Sequence, residues 1–195
     1  MLIQLLLFVL QAFFGFFVLL LLLRFHMQWL RVSFRNPLGR FVLTLTDRMV
    51  MPTRRIVPSA LGLDLSSLLL ALLLHGVYLL LSFWLIGFSF GDRLGFSPAL
   101  AALALLGIAL MELLNYSIYI LMAVIAFVVI LSWVNPHAPL APLFNSLARP
   151  FLRPFQRLIP PIAQIDLSPL FLLLTLQVLL ILLVYLRSIL LPLVE

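Results

Sequence analysis

Residues 52–66 read PTRRIVPSALGLDLS, and the same pattern returns in residues 154–168, which read PFQRLIPPIAQIDLS. A shift of 102 residues without a gap superposes the prolines and charges of the two stretches, so that Pro52, Arg55, Pro58 and Asp64 fall on Pro154, Arg157, Pro160 and Asp166. The same shift places Pro37 on Pro139. Because prolines and charges coincide, and not only the abundant leucines, the chain is predicted to hold two copies of one unit.

Long apolar tracts flank each of these stretches. Since a membrane-spanning helix needs about 20 apolar residues, the chain is predicted to have four spans, at about residues 5–23, 65–90, 107–134 and 169–186. The third tract runs from 98 to 134 and would also accommodate two short spans broken near Asn115. The repeat favours a single span from residue 107, and it leaves open whether 98–106 is an interfacial lead-in or part of that span.

The composition excludes a soluble globular domain. The residues are 65% hydrophobic and 9% charged, with a mean hydropathy of +1.28, which is more apolar than a soluble domain of this length tolerates. The predicted fold class is an all-α membrane protein with four transmembrane helices. Two parallel repeats, residues 1–90 and 98–195, each have the order helix, interfacial amphipathic loop helix, helix. The absence of cysteine excludes disulfides, thiolate catalysis and cysteine-ligated iron–sulfur clusters.

Arginine supplies all the positive charge, because the chain contains no lysine and has a formal net charge of +6. Most of the arginines lie in the loop between the two spans of a repeat. The positive-inside rule therefore predicts a multi-pass protein with both basic loops cytoplasmic and with the termini and middle loop on the outer side of the membrane. Since the arginines border apolar spans, we expect contact with anionic lipid headgroups and no direct binding of nucleic acid.

Each basic loop is predicted to form an amphipathic helix that lies in the headgroup plane. Pro150 is expected to end the second of these helices, and the prolines that follow are expected to hold the chain extended. The candidate binding residues are Arg54, Arg55, Arg153 and Arg157. They could anchor lipid phosphate, dock an acidic segment of a partner membrane protein, or bind a small anion, although no glycine-rich phosphate loop is present.

Asp64 and Asp166 open the second span of each repeat. Aspartate commonly accepts backbone N–H bonds at the start of a helix, so both are predicted to be caps at the membrane edge. Ion pairs of Asp64 with Arg55, and of Asp166 with Arg157, are expected to accompany this structural role.

Three polar residues, His75, Glu112 and Gln177, are predicted to lie within spans. His75 and Gln177 are related by the repeat and are expected to face each other in the interior. They could provide hydrogen bonds between helices or mark a functional site. Glu112 is expected to be a solvated carboxylate near the outer headgroups, with a cation pathway as the alternative.

The sequence contains no pattern typical of catalysis or metal binding. There is no zinc motif, nucleophile elbow or phosphate loop, and the spacing of His26, His75 and His137 is not that of metal ligands. Neither an enzymatic activity nor a cofactor is predicted.

Several local motifs are shared by the two units. The first carries Asn36-Pro37-Leu38, Pro52-x-Arg54-Arg55-x-x-Pro58 and Gly62-x-Asp64. The second carries Ser132-Trp133-Val134-Asn135-Pro136-x-x-Pro139-Leu140, Pro150-x-x-Arg153-Pro154-x-x-Arg157-x-x-Pro160 and Asp166-Leu167-Ser168-Pro169. With these motifs, nearly the whole chain resembles the YggT family of small bacterial and plastid membrane proteins. It departs from the family at Arg48, where proline is frequent, and at Gln156, where a second arginine is usual.

The resemblance implies an inner-membrane or thylakoid protein without established catalysis. Relatives are linked to osmotic tolerance and ion homeostasis, to assembly of a membrane cytochrome, and to division or nucleoid distribution. The leading prediction is a non-enzymatic scaffold or assembly factor that organises partner membrane proteins through its arginine–proline loops, and the sequence is compatible with a homo-oligomer. The alternative is an ion-transport component or modulator. An enzyme acting on lipid ranks third, because a nucleophile or metal cluster is lacking.

Overall fold

A computed structural model describes residues 1–57, 63–87, 98–159 and 166–190. These residues form six helices: α1 (Leu2–Trp29), α2 (Pro37–Arg54), α3 (Leu65–Ile86), α4 (Pro98–Val134), α5 (Ala141–Leu158) and α6 (Ser168–Leu190). Four of the helices, α1, α3, α4 and α6, are long and apolar enough to cross a membrane. The predicted fold class of an all-α membrane protein with four spanning helices is confirmed.

The fourth helix settles how the long apolar tract is organised. α4 runs without a break from Pro98 to Val134, so the two-span alternative with a break near Asn115 is wrong. Residues 98–106 belong to the same helix as the span. At 1.5 Å per residue the helix is about 55 Å long, which exceeds the roughly 30 Å hydrocarbon core. α4 therefore extends beyond the hydrocarbon region at one or both ends.

The helix α2 begins at a well-formed cap. The side chain of Asn36 accepts a hydrogen bond of 2.7 Å from the backbone N–H of Gly39, and Pro37 occupies the first turn, where its missing N–H is not needed. A Cβ on Gly39 would come within 2.7 Å of the Cα of Phe34, so this tight entry requires glycine. The helix buries one stripe, formed by Val42, Thr46 and Val50.

The prolines of the loop helices do not end these helices where the sequence predicts. α2 continues through Pro52 to Arg54, and α5 continues through Pro150 and Pro154 to Leu158, so the first parts of the two proline segments are helical and not extended. A proline in a helix frees the carbonyl of the residue four positions before it. Pro150 and Pro154 lie four residues apart on one exposed side of α5, and the carbonyls that they free are those of Ser146 and Pro150.

The two repeats have the same internal arrangement. α2 contacts both α1 and α3, and α5 contacts both α4 and α6. α1 packs chiefly along α3, and α4 contacts α1, α3 and α6. The rings of Trp29, at the end of α1, and Phe151, in α5, lie 6.3 Å apart. Because α2 follows α1 closely in the chain, both loop helices lie at the same end of the molecule.

Candidate functional site

A buried arginine stands at the centre of the first repeat. Arg24 of α1 is only 2% exposed, and its Nη1 donates to Oδ1 of Asp47 at 2.7 Å and to Oγ1 of Thr46 at 2.8 Å. Its Nε donates to Oδ2 of Asp64 at 3.3 Å. One guanidinium thus joins the end of α1 to α2 and to the start of α3. The sequence gives no signal for this role, because Arg24 directly follows the first apolar tract as an ordinary loop arginine would.

The carboxylate of Asp64 is fully buried and receives a second arginine. Nη2 of Arg54 donates to its Oδ2 at 2.7 Å, and the hydroxyl of Ser67 donates to the same oxygen at 2.8 Å. Burial by itself raises the pKa of Asp64, but the hydrogen bonds from Arg54 and Ser67 and the charges of both arginines outweigh burial and lower it. Asp47 and Asp64 balance Arg24 and Arg54, so the four residues form a neutral ion-pair cluster.

The ion pair predicted between Asp64 and Arg55 is wrong, because Arg54 takes that position. Successive helical residues point about 100° apart around the axis, and α2 remains helical through Arg54. Only one of two adjacent arginines can therefore face Asp64. Arg55 is exposed instead.

The second repeat lacks most of this cluster. The 102-residue shift relates Arg24 to Ala126, Thr46 to Ala148 and Asp47 to Arg149, so its charged and hydroxyl groups are largely lost. Asp166 accepts a hydrogen bond of 2.9 Å from Nε2 of Gln156, the counterpart of Arg54.

Asp166 also caps the second repeat's last helix. One of its carboxylate oxygens accepts from the backbone N–H of Ser168 at 2.8 Å, as a cap would. Burial by itself raises the pKa of Asp166, but the hydrogen bonds from Ser168 and Gln156 together outweigh burial and lower it. The predicted pair of Asp166 with Arg157 does not form, because Gln156 takes that position and Arg157 is exposed.

The other loop arginines are all exposed: Arg31, Arg35, Arg40 and Arg48 lie before or along α2, and four more lie after α2 or along α5. Arg55 lies just after α2, while Arg149, Arg153 and Arg157 lie along α5. Within the described ranges, none of these four makes an ion pair. Of the arginines selected from the sequence, Arg54 is therefore paired within the protein, with Asp64. Arg55, Arg153 and Arg157 remain available to a ligand.

Four of the motif prolines lie in or next to the loop helices. Pro37 and Pro52 lie in the first and last turns of α2, Pro139 lies just before α5, and Pro154 lies within α5. Pro58 and Pro160 lie outside the described residues.

The polar residues inside the spans do not meet as predicted. His75 is buried, with its ring centroid 5.8 Å from that of Tyr116 and 5.5 Å from that of Tyr78. Its Nε2 has no hydrogen-bond partner among the described residues. Gln177 lies on the exposed side of α6, so the prediction that it faces His75 is wrong. α6 buries Leu172, Leu176, Leu180 and Leu183, and position 177 points away from that stripe.

Glu112 forms an ion pair with Arg187 of α6 and is 16% exposed. The prediction of a freely solvated carboxylate is therefore wrong, because Arg187 reaches back along α6 to neutralise it.

An apolar layer that includes Leu21, Leu22 and Ala71 lies between Asp64 and His75, which are about 16 Å apart along α3 by helical rise. No three His, Cys, Asp or Glu side chains in the described part of the chain are placed to hold a metal ion.

Two apolar crevices open between the helices. The larger, termed the α5 crevice, has a volume of 870 Å³ and is lined by residues of α4 and α6, together with His26 and Trp29 of α1 and Phe151 of α5. The smaller has a volume of 630 Å³ and lies between α1 and α4, beside Leu38, Pro139 and Phe144. Both reach the end of the molecule that carries the exposed arginines.

Comparison with known proteins agrees with the repeat. The CCB3/YggT family model matches residues 3–85 and again residues 107–187. An uncharacterized protein of Pseudomonas aeruginosa is 35% identical over 172 residues, which are 87% of this chain and 83% of that protein. The protein YggT of Escherichia coli is 33% identical over 163 residues, 83% of this chain and 80% of its own length. No solved structure gives a significant match. The chain therefore belongs to the CCB3/YggT family, whose unit it carries twice.

Proposed function

We propose that this protein is a non-enzymatic scaffold or assembly factor of the bacterial inner membrane, which holds a partner membrane protein against its basic end. One observation carries the proposal: Arg55 and Arg157 are exposed and lack ion pairs within the described ranges, whereas Arg24 and Arg54 are neutralised internally. A set of uncompensated arginines at a membrane edge attracts an acidic partner segment and fixes its orientation.

The ion-pair cluster supports this role by fixing the position of α2 relative to α1 and α3. Arg24 bonds α2 to α1, and Asp64 bonds α2 to the start of α3 through Arg54. A loop helix anchored in this way presents its outward side in one geometry, which lowers the ordering cost of binding a partner. By the positive-inside rule, the proposal places α2 and α5 in the cytoplasm.

The test is photo-crosslinking in native membranes from Ile56 and Leu158, which are 82% and 80% exposed and adjoin the two arginines. A crosslinkable residue at either position should capture one reproducible membrane protein. The Arg55→Gln/Arg157→Gln variant should reduce capture at least ten-fold while remaining inserted. The matched control is Arg40→Gln/Arg149→Gln, which removes two other exposed arginines of the same loop helices and should keep the partner.

Equal capture by the inserted Arg55→Gln/Arg157→Gln variant and the control would reject the scaffold proposal. Adducts with lipid alone would also reject it, since the arginines would then act only as anchors.

The second candidate, an ion-transport component or modulator, is favoured by the buried His75 with its unpartnered Nε2. Several copies would be needed, because an apolar layer separates His75 from the ion-pair cluster within one chain. Proteoliposomes should then show a cation flux that increases with protein density and is lost in His75→Leu. An absence of flux at all densities would exclude this function.

A further inference from the structure

The α5 crevice has the depth of one lipid leaflet. Along α6 its lining extends from Leu172 to Leu183, about 16 Å at 1.5 Å per residue. Half of the hydrocarbon core is about 15 Å thick. The crevice volume of 870 Å³ also falls within the range of roughly 300–1,000 Å³ of pockets that hold a whole small molecule. Its dimensions therefore suit the acyl part of a lipid.

The lining changes in polarity along this depth. Its deep end, far from α5, is formed by leucines such as Leu110 and Leu183. At the α5 end it carries the imidazole of His26 and the indole of Trp29, which lies 6.3 Å from the ring of Phe151. Tryptophan is typical of the level where acyl chains meet headgroups. A lipid in the crevice would therefore place its headgroup beside α5 and its chains among the leucines.

Two arginines border the headgroup end. The edge of the crevice is formed by Pro150 and Pro154 of α5, and each is followed three residues later by an arginine, Arg153 and Arg157. Residues three apart on a helix are neighbours, and α5 is helical throughout this stretch. Both arginines are exposed and have no ion pair within the described residues. Neither arginine lines the crevice itself, but each lies one helical turn along α5 from a proline that does.

We propose that the α5 crevice is a specific site for one anionic phospholipid, with its phosphate bound by Arg153 and Arg157 and its acyl chains among the leucines of α4 and α6. The charge of the rim and the apolar lining are complementary to the two ends of such a molecule. This inference goes beyond the proposed scaffold function and does not depend on it, since the lipid would be bound by the isolated protein.

The test uses Trp29, which lines the α5 end of the crevice and is 48% exposed, as a reporter. Trp84 and Trp133 are 73% and 80% exposed, so Trp84→Phe/Trp133→Phe leaves one tryptophan at little cost. This protein is placed in nanodiscs of phosphatidylcholine containing a small fraction of brominated lipid. Brominated phosphatidylglycerol should quench Trp29 at about thirty-fold lower mole fraction than brominated phosphatidylcholine, since each basic side chain near an anionic surface contributes about a five-fold factor.

Adding Arg153→Gln/Arg157→Gln should abolish this preference, whereas Arg40→Gln/Arg149→Gln, with the same change in charge, should retain it. Equal quenching by the two brominated lipids in the single-tryptophan protein would overturn the site. A preference that survives Arg153→Gln/Arg157→Gln would overturn its arginine rim. If quenching by both lipids falls as the number of protein copies per disc rises, a second copy covers the crevice. That result would overturn the lipid site. The two proposals share Arg157, but because no partner protein is present here, a failure of the lipid site is distinguishable from a failure of partner capture.

Discussion

At the residue scale, the decisive feature is the fully buried carboxylate of Asp64, held between Arg24 and Arg54. Burying charges costs several kcal/mol per ion, and their mutual attraction offsets that cost only when geometry and hydrogen bonds are complete. Here Ser67 and Thr46 complete the bonding of the cluster. Removal of one member would leave an uncompensated charge in an apolar surrounding.

We expect Asp64→Asn to lower the free energy of unfolding by about 3–5 kcal/mol at neutral pH, because Arg24 and Arg54 would lose their shared carboxylate. The folded-state pKa of Asp64 is lowered, so its stabilisation is fully present above the unfolded value near 3.9 and is lost as pH falls through the folded pKa. Thermal unfolding in detergent should therefore show that the unfolding temperature falls less between pH 7 and pH 3 in the variant than in the unmodified protein.

The matched control for this prediction is Asp166→Asn. Asp166 is exposed and is bonded by a neutral amide, so the change should cost less than about 1 kcal/mol. Equal losses in the two variants would contradict the importance assigned to the buried cluster.

At the element scale, the loop helices show how far sequence patterns reach. Amphipathic spacing predicts both helices, and the apolar tracts predict the four spans, because hydrophobic periodicity depends on the chain alone. The choice between Arg54 and Arg55 as partner of Asp64 depends on where α2 ends. The orientation of Gln177 depends on which stripe of α6 meets α4. Both are tertiary facts that a local pattern does not contain.

Proline is the clearest case in which a local rule fails. Because α5 is helical through residue 154, Pro150→Ala/Pro154→Ala should restore two backbone hydrogen bonds. We expect the double variant to be more stable by about 1–3 kcal/mol. Pro142→Ala, in the first turn of α5, is the control and should bring no gain. A loss of stability in the double variant would contradict a helical α5 at these positions. It would indicate that the folded segment is extended, so that the prolines stabilise the protein by restricting the unfolded chain. Thermal unfolding in detergent measures all three variants.

At the scale of the whole molecule, the two repeats share an arrangement but divide the chemistry. The first repeat pairs two of its arginines, Arg24 and Arg54, with Asp47 and Asp64, and it leaves Arg40, Arg48 and Arg55 exposed along or just after α2. The second replaces the paired positions by Ala126 and Gln156 and leaves its loop arginines exposed as well. We infer that the first repeat alone provides the rigid support, whereas both repeats contribute to the exposed basic surface.

A basic surface shared by the two repeats requires both loop helices to lie on one side of the membrane, which the absence of native cysteine makes simple to test. Single variants Ile56→Cys, Leu158→Cys and Ser188→Cys place exposed thiols after α2, at the end of α5 and near the end of α6. In intact spheroplasts, a membrane-impermeant maleimide should label only Ser188→Cys, because each repeat crosses the membrane twice and returns the chain to the same side. Permeabilised cells should label all three. Labelling of Ile56→Cys or Leu158→Cys alone from outside would show that the repeats are inverted, and a single basic end could not then exist.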